Sequence, residues 1–314
     1  MSGVFVHSSM AIRHGCPHRF TREAIVAKRL ECAASMEGKT CVITGATSGI
    51  GRAAAEALAA MGARIVMVAR NKQRGEAMLT KLRDRFPLAE HSIHYADLLR
   101  LAEVKRAAAD IAAAEPRVDV LLNNAGAMFA WRKITPDGFE RTFALNHVAP
   151  FVLTHGLRER LFAAAPARVV NTAGALHHLA TLHLEDLRLE HRYSAFYAYA
   201  HAKLCSVLFT RELARRWASK QVTANCVHPG EVATSFGDRA GGLIPYVFSV
   251  VHLFGSSPKK GASRIVRLAS AREYAGITGR YFYKEQLARP NPQAEDDENA
   301  ERLWDATAKS AAIE

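Results

Sequence analysis

A length of 314 residues allows one large domain or two small ones and is enough to bury a sizeable core. A formal net charge of +12 raises the question of nucleic acid, but the Lys and Arg residues are scattered and not interleaved with aromatics. That pattern argues against a nucleic-acid partner and for a solvated basic surface that helps steer an anionic cofactor.

Residues 1–35 fit poorly with the rest of the chain. They carry Arg13, Arg19, Arg22, Lys28 and Arg29 without a strong period. Three readings compete. A targeting peptide lacks its long apolar segment here, and Glu23 and Glu31 count against an organelle transit sequence. A metal tract at His14, Cys16 and His18 would be a short one of the kind that is usually loop, so no metal site is assigned. The third reading, a poorly ordered N-terminal extension upstream of a core that begins near Met36, is preferred.

The run Lys39 to Arg70 is read as strand, glycine turn, helix, second strand. Lys39 to Thr44 is a short apolar run. Gly45-Ala46-Thr47-Ser48-Gly49-Ile50-Gly51 comes next, then an Ala-rich helix to Met61 closed by Gly62, then Ala63 to Arg70. In such a turn Gly45 adopts angles closed to other residues. Gly49 admits a phosphate to the backbone, and Gly51 lets the helix pack close. The N–H groups opening the helix then face a dinucleotide pyrophosphate.

The remaining elements alternate. Helices are predicted near Lys72–Phe86 and Leu99–Ala114, as one long stretch from Gly138 to Ala165, and near Phe196–Trp217, Lys259–Ala269 and Asp297–Lys309. Strands are predicted near His91–Ala96, Val118–Leu122, Arg168–Asn171, Val222–Val227 and Gly279–Tyr283. This order makes an α/β fold: a single Rossmann-type doubly wound parallel sheet with helices on both faces, over residues 36–314. No run reaches the roughly 18 apolar residues of a membrane span. Cys16, Cys32, Cys41, Cys205 and Cys226 show no paired spacing and read as reduced thiols of an intracellular, cytoplasmic protein.

Two stretches stand out for chemistry. Gly241 to Phe254 is the most apolar loop-like segment. Three readings stay open for it: a substrate lid over about residues 231–257, an interfacial membrane helix, or a helix packed on the core. Tyr199 and Lys203 are four residues apart and share one helix face. A tyrosine near pKa ~10 needs a nearby cation to exchange protons at neutral pH, and Lys203 is placed to supply one.

Together these residues resemble the short-chain dehydrogenase/reductase family. The matches are Thr44 to Gly51, Asn123-Asn124-Ala125-Gly126, Asn146, Tyr199 with Lys203, and Pro229-Gly230 followed by Thr234. They fall in family order from about Glu37 to Tyr283. Phe143 to His147, Arg192-Tyr193-Ser194, Lys203 to Leu213, Arg280-Tyr281-Phe282 and Ala300 to Trp304 look like the retinol-dehydrogenase-like branch. The resemblance implies Tyr199 as general acid/base, with Lys203 lowering its pKa and binding the nicotinamide ribose. Asn146 would hold a relay water. The cofactor would lie along Gly45, Thr47, Ser48, Gly49, Ile50, Gly51, Asp97, Leu98, Asn123, Ala125, Gly126, Pro229, Gly230 and Thr234. Arg70, where relatives preferring NAD tend to carry an acid, suits a 2′-phosphate, with Arg52 and Arg74 nearby, so NADP(H) is expected before NAD(H). Homodimers or homotetramers through the helices after Gly138 and Phe196 are usual in the family.

One position departs. The family's carbonyl-binding serine lies about 25 residues before the tyrosine in this branch, and that position is Gly174. Losing a donor aimed at a developing oxyanion typically costs ~2.7–4 kcal/mol. Thr172 and His177 are the nearby substrate-site candidates, and a substrate hydroxyl or a water could also fill the gap. Three functions are then open: an NADPH-dependent carbonyl reductase or alcohol dehydrogenase for a bulky apolar or aromatic substrate, a relative repurposed for non-redox acid/base chemistry with a structural nucleotide, or a silent binding protein. Tyr199, Lys203 and Asn146 argue against the third, the second stays open because fold does not dictate function, and the first is preferred.

Overall fold

The computed structural model describes residues 35–191, 193–232 and 255–313. The N-terminal extension, most of the lid segment, Thr234 and Arg192 lie outside the described residues.

Alternating apolar side chains make each central strand two-faced. In β1 (Thr40–Thr44), Val42 packs into one hydrophobic layer while Cys41 and Ile43 pack into the other. β2 (Arg64–Ala69), β4 (Val120–Asn123), β5 (Ala167–Thr172), β6 (Val222–His228) and β7 (Arg280–Tyr283) repeat the pattern, while β3 (Ser92–Tyr95) is half-buried throughout and gives only Ile93 to a layer. A sheet buried on both faces must be covered twice, so the connections are helices. The helices α1 (Gly49–Ala60), α2 (Lys72–Arg85) and α7 (Pro258–Ser270) contribute to one layer. The other takes α3 (Leu101–Ala114), α4 (141–156), α5 (Arg158–Ala163), α6 (Ala195–Arg216) and α8 (Asp297–Ala311). The strand order is β3-β2-β1-β4-β5-β6-β7-β8, parallel except for the antiparallel edge β8 (Gln286–Ala288). The order reverses between β1 and β4, where ligands bind in open α/β sheets.

Two expectations need correction. The long helix expected from Gly138 to Ala165 is a composite. It starts at Arg141–Phe143, passes through a π segment Ala144–Val148 and continues as Ala149–Gly156; this is α4. A separate α5 comes after Leu157. The cause is local. Pro150 has no N–H to offer the carbonyl of Asn146 four residues earlier, so the regular ladder cannot run through. The edge strand β8 was also not expected: it has three residues, two of them exposed. Among the described residues no helix is long and apolar enough to cross a membrane.

Candidate active site

The candidate residues gather at the carboxyl ends of the parallel strands. After β1, Gly45 and Gly49 sit at φ +71° and +53°, conformations that L side chains rarely hold. A Cβ on Gly51 would lie 2.3 Å from the Gly45 carbonyl oxygen, so only glycine lets α1 start there. Ser48 caps α1 in an extended conformation without a side-chain hydrogen bond. Thr44 locks this turn to the end of β4: its Oγ1 accepts the N–H groups of Asn124 and Ala125, each at 3.0 Å, and its carbonyl takes the Asn124 amide at 3.1 Å. Thr47 and Ser48 therefore sit on a braced loop, and Ile50 in the first turn of α1. In the sequence Thr44 reads only as part of the motif, because its bracing role depends on a strand that is distant along the chain.

Arg70 follows β2 directly, is exposed and makes no ion pair with a described residue. It borders a cleft of about 510 Å³ shared with Lys72, Tyr95, Asp97, Glu103 and Arg106. Asp97 begins the loop after β3 and accepts the Leu99 N–H at 3.1 Å, and Leu98 packs against the core. Asn123 is buried, and its amide donates to Thr154 Oγ1 (3.1 Å) and Asn171 Oδ1 (2.8 Å). Both amide hydrogens tie β4 to its neighbours, and Oδ1 is left without a hydrogen-bond partner among the described residues.

Gly126, Asn146 and Lys203 meet at one point. A Cβ on Gly126 would stand 2.7 Å from Asn146 Oδ1 and 3.5 Å from Lys203 Nζ. Asn146 donates its amide to the carbonyls of Ala127 and Thr142, both at 2.8 Å, and Oδ1 is buried with no hydrogen-bond partner. Its own carbonyl accepts Ser206 Oγ at 2.9 Å. Ser206 lies three residues beyond Lys203, one turn along α6, and nothing in the sequence singles it out. Its partner there is a backbone atom that only the π segment turns toward it.

Lys203 is buried, and Nζ donates to the Thr172 carbonyl at 2.8 Å. Its ammonium lies 5.4 Å from the centre of the Tyr199 ring. Burial pushes the Lys203 pKa down to about 8. Burial also pushes the Tyr199 phenol above its ordinary value. This corrects the expectation that Lys203 lowers the Tyr199 pKa: in this structure desolvation outweighs a cation that is itself turned to a carbonyl.

Gly174 lies beside the tyrosine. A Cβ there would be 3.4 Å from both Tyr199 Oη and Cε1, and 3.6 Å from Lys203 Cγ. The Gly174 backbone is extended, φ −148° and ψ 144°, which any residue adopts. The two substitute donors fare differently. His177 is buried with Nδ1 on the Gly174 carbonyl at 2.8 Å and its ring 4.6 Å from that of Tyr281. Burial holds its pKa down at about 4, so the ring is neutral at pH 7. Asn291 pins the same turn through the carbonyls of His177 and Ala180. His177 therefore shapes the loop. Thr172 carries a buried Oγ1 without a hydrogen-bond partner, while its carbonyl holds Lys203. After β6, Gly230 sits at φ +87°, and the buried Arg264 of α7 donates to the Pro229 carbonyl. Exposed Trp131, Leu179 and Phe196 belong to the loop after β4, the turn after β5 and the start of α6. Among the described residues no group of three or more His, Cys, Asp or Glu is arranged to hold a metal.

A family model described as short chain dehydrogenase matches residues 39–241. Retinol dehydrogenase 13 of Homo sapiens is 37% identical over 288 residues, covering 90% of this chain and 87% of that protein. Retinol dehydrogenase 12 of Homo sapiens is 36% identical over 278 residues, with 88% of each covered. Among solved structures, an uncharacterized protein from Mycobacterium paratuberculosis superposes with a TM-score of 0.72 at 30% identity, covering 90% of this chain and 96% of that one. A blue fluorescent protein from a metagenomic library, in complex with NADPH, gives 0.60 at 29% identity, covering 79% and 97%.

Proposed function

We propose that this chain, which belongs to the short-chain dehydrogenase family, is an NADP(H)-dependent oxidoreductase that interconverts a carbonyl and an alcohol on a bulky apolar or aromatic substrate. The observation that carries the reading is the meeting of Tyr199, Lys203, Gly126 and Asn146 beside a braced glycine turn. The residues fit a dinucleotide. Gly45, Gly49 and Gly51 leave a bare backbone at the start of α1, and no side chain caps that helix. Exposed Arg70, with Lys72 and Arg106 across its cleft, suits a 2′-phosphate better than a ribose hydroxyl. The similar NADPH-bound protein supports the same choice.

The nicotinamide, when bound, supplies or takes the hydride. The chain's own work is the proton. In reduction Tyr199 Oη donates to the carbonyl oxygen, and in oxidation the phenolate takes the alcohol proton. Lys203 stands beside Tyr199 as a cation below about pH 8 and stabilises the phenolate left after donation. Asn146 Oδ1, unpartnered and close to Lys203 across Gly126, can hold a relay water. The apolar cluster of Met128, Ala130, Leu176 and Ala195 that packs with Tyr199 favours a bulky apolar substrate.

The test is NADPH oxidation, followed by absorbance, with a panel of apolar aldehydes and ketones. Wild type should turn over, and Tyr199→Phe should lose about 10²–10⁴-fold. No cofactor consumption, or an unaffected Tyr199→Phe, overturns the reading. The bare Gly174 favours a second reading, acid/base chemistry on a structural nucleotide. That reading requires substrate conversion with no net change in NADPH.

A further inference from the structure

We propose that Gly174 forms a notch for a hydroxyl group of the substrate, so that the preferred substrates are α-hydroxy carbonyls and the vicinal diols they become. The inference rests on the oxidoreductase reading above and names the substrate class of that same site.

A side chain rooted at position 174 begins 3.4 Å from Tyr199 Oη, so a donor there would reach the oxygen that Tyr199 protonates. Nothing in the backbone calls for glycine, whose extended conformation accepts any residue. The position is also not closed by its neighbours: the contacts a Cβ would make, 3.4 to 3.6 Å, are ordinary van der Waals contacts. So the glycine leaves room for one heavy atom beside the proton-transferring oxygen, and the chain provides no polar side-chain atom from that position.

The adjacent candidates do not replace it. His177 turns Nδ1 back to the Gly174 carbonyl and lays its ring against Tyr281. Thr172 is two residues back on an extended strand, roughly 6–7 Å along the chain, too far for a shared hydrogen bond. A carbonyl oxygen accepting from Tyr199 Oη at about 2.7 Å has a second lone pair directed elsewhere. A hydroxyl on the neighbouring carbon lies alongside that oxygen, in reach of the notch. It can donate to the oxygen as negative charge develops there, the task for which a preorganised protein donor contributes about 10²–10³ in rate. The hydroxyl keeps its own proton. The carbonyl oxygen takes the Tyr199 proton, the carbon takes the hydride, and the product is a vicinal diol.

The experiment compares propiophenone with its α-hydroxy counterpart in wild type, Gly174→Ser and Gly174→Ala. Two readouts are taken: kcat/KM for NADPH oxidation, and calorimetric binding of each ketone to the enzyme saturated with tetrahydro-NADP, whose reduced ring has no hydride to give and none to take. Wild type should prefer the hydroxyketone by about tenfold or more in both. Gly174→Ser should erase the preference by raising turnover of the plain ketone. Gly174→Ala, which fills the notch without a donor, should weaken the hydroxyketone and leave the plain ketone slow. Equal treatment of the two ketones by wild type, or a preference unchanged in Gly174→Ser, overturns the inference while leaving a carbonyl reductase in place. If NADPH is consumed with neither ketone, the oxidoreductase reading has failed and binding decides. Tighter hydroxyketone binding that Gly174→Ser abolishes upholds the notch, and equal or absent binding overturns it.

Discussion

Lys203 shows how one buried cation sets a working range. Its pKa is held near 8 because the ammonium is buried and has a neutral carbonyl, not a carboxylate, as its hydrogen-bond partner. A group whose pKa is depressed in this way is charged below about 8 and neutral above it. If the charge steadies the Tyr199 phenolate, kcat/KM for carbonyl reduction is flat below pH 8 and falls above it. Lys203→Arg keeps a positive charge at all accessible pH values. Its residual activity should therefore lose the alkaline limb, with a lower plateau because a planar fork does not reproduce a point donor at 2.8 Å. Steady-state rates from about pH 6 to 10, spanning the ordinary range of such groups, check this, and an alkaline limb that stays in place in Lys203→Arg assigns the titration to another group. The contrast with the motif is instructive. Tyr199 and Lys203 are legible from a four-residue spacing, but the partner that holds the lysine, the Thr172 carbonyl, is a backbone atom 31 residues away. No spacing rule points to a backbone carbonyl.

At the scale of elements, the π segment is the feature that periodicity misses. A helical period averaged over the stretch reads as one helix, whereas a single proline decides its register at Asn146. The structure answers the proline with a hydroxyl from another helix, Ser206 Oγ, whose one proton is shared between the carbonyls of Asn146 and Ala202. Thr210 donates to the Ser206 carbonyl at 2.7 Å and accepts from Asn171, and Asn171 accepts from Asn123. A chain of buried polar groups thus runs from the end of β4 to the π segment, and such chains fix one arrangement when their bonds are made. Ser206→Ala should cost about 1 kcal/mol of stability. The same substitution in a Pro150→Ala background should cost less, since residue 150 then carries an N–H that can serve the Asn146 carbonyl. Urea unfolding of the four proteins measures the coupling. Strictly additive losses would show that Ser206 does not stand in for the missing N–H. The regular elements, by contrast, were readable within a residue or two, because buried strands and Ala-rich helices carry their signal locally. The edge strand β8 was not, as three mostly exposed residues have no period to read.

For the whole molecule, the C-terminal helix decides which surface is left for association. The resemblance points to dimers or tetramers built through the helices after Gly138 and Phe196. In this chain α8 lies on both of them. Trp304 packs edge-on to Phe151 of α4 at 5.0 Å and stacks with Phe209 of α6 at 5.9 Å. Thr307 donates to the Leu303 carbonyl, so it receives the Nε2 proton of His147 in the π segment at 2.9 Å. Arg216 covers the indole at 4.8 Å. The ion pairs along the edge, Arg211–Asp297, Arg215–Glu301 and Arg216–Asp305, join partly exposed groups and contribute little each. Burial of Trp304 therefore dominates the docking, and a second subunit would have to displace it. The chain should run as a monomer of 34.4 kDa by light scattering at micromolar concentration. Trp304→Ala should cost about 3–5 kcal/mol, the range for emptying a large core site, and by loosening α8 should uncover Phe151 and Phe209 and drive concentration-dependent association. A wild-type dimer whose mass does not change with dilution would mean that association uses another face, and that α8 does not determine it.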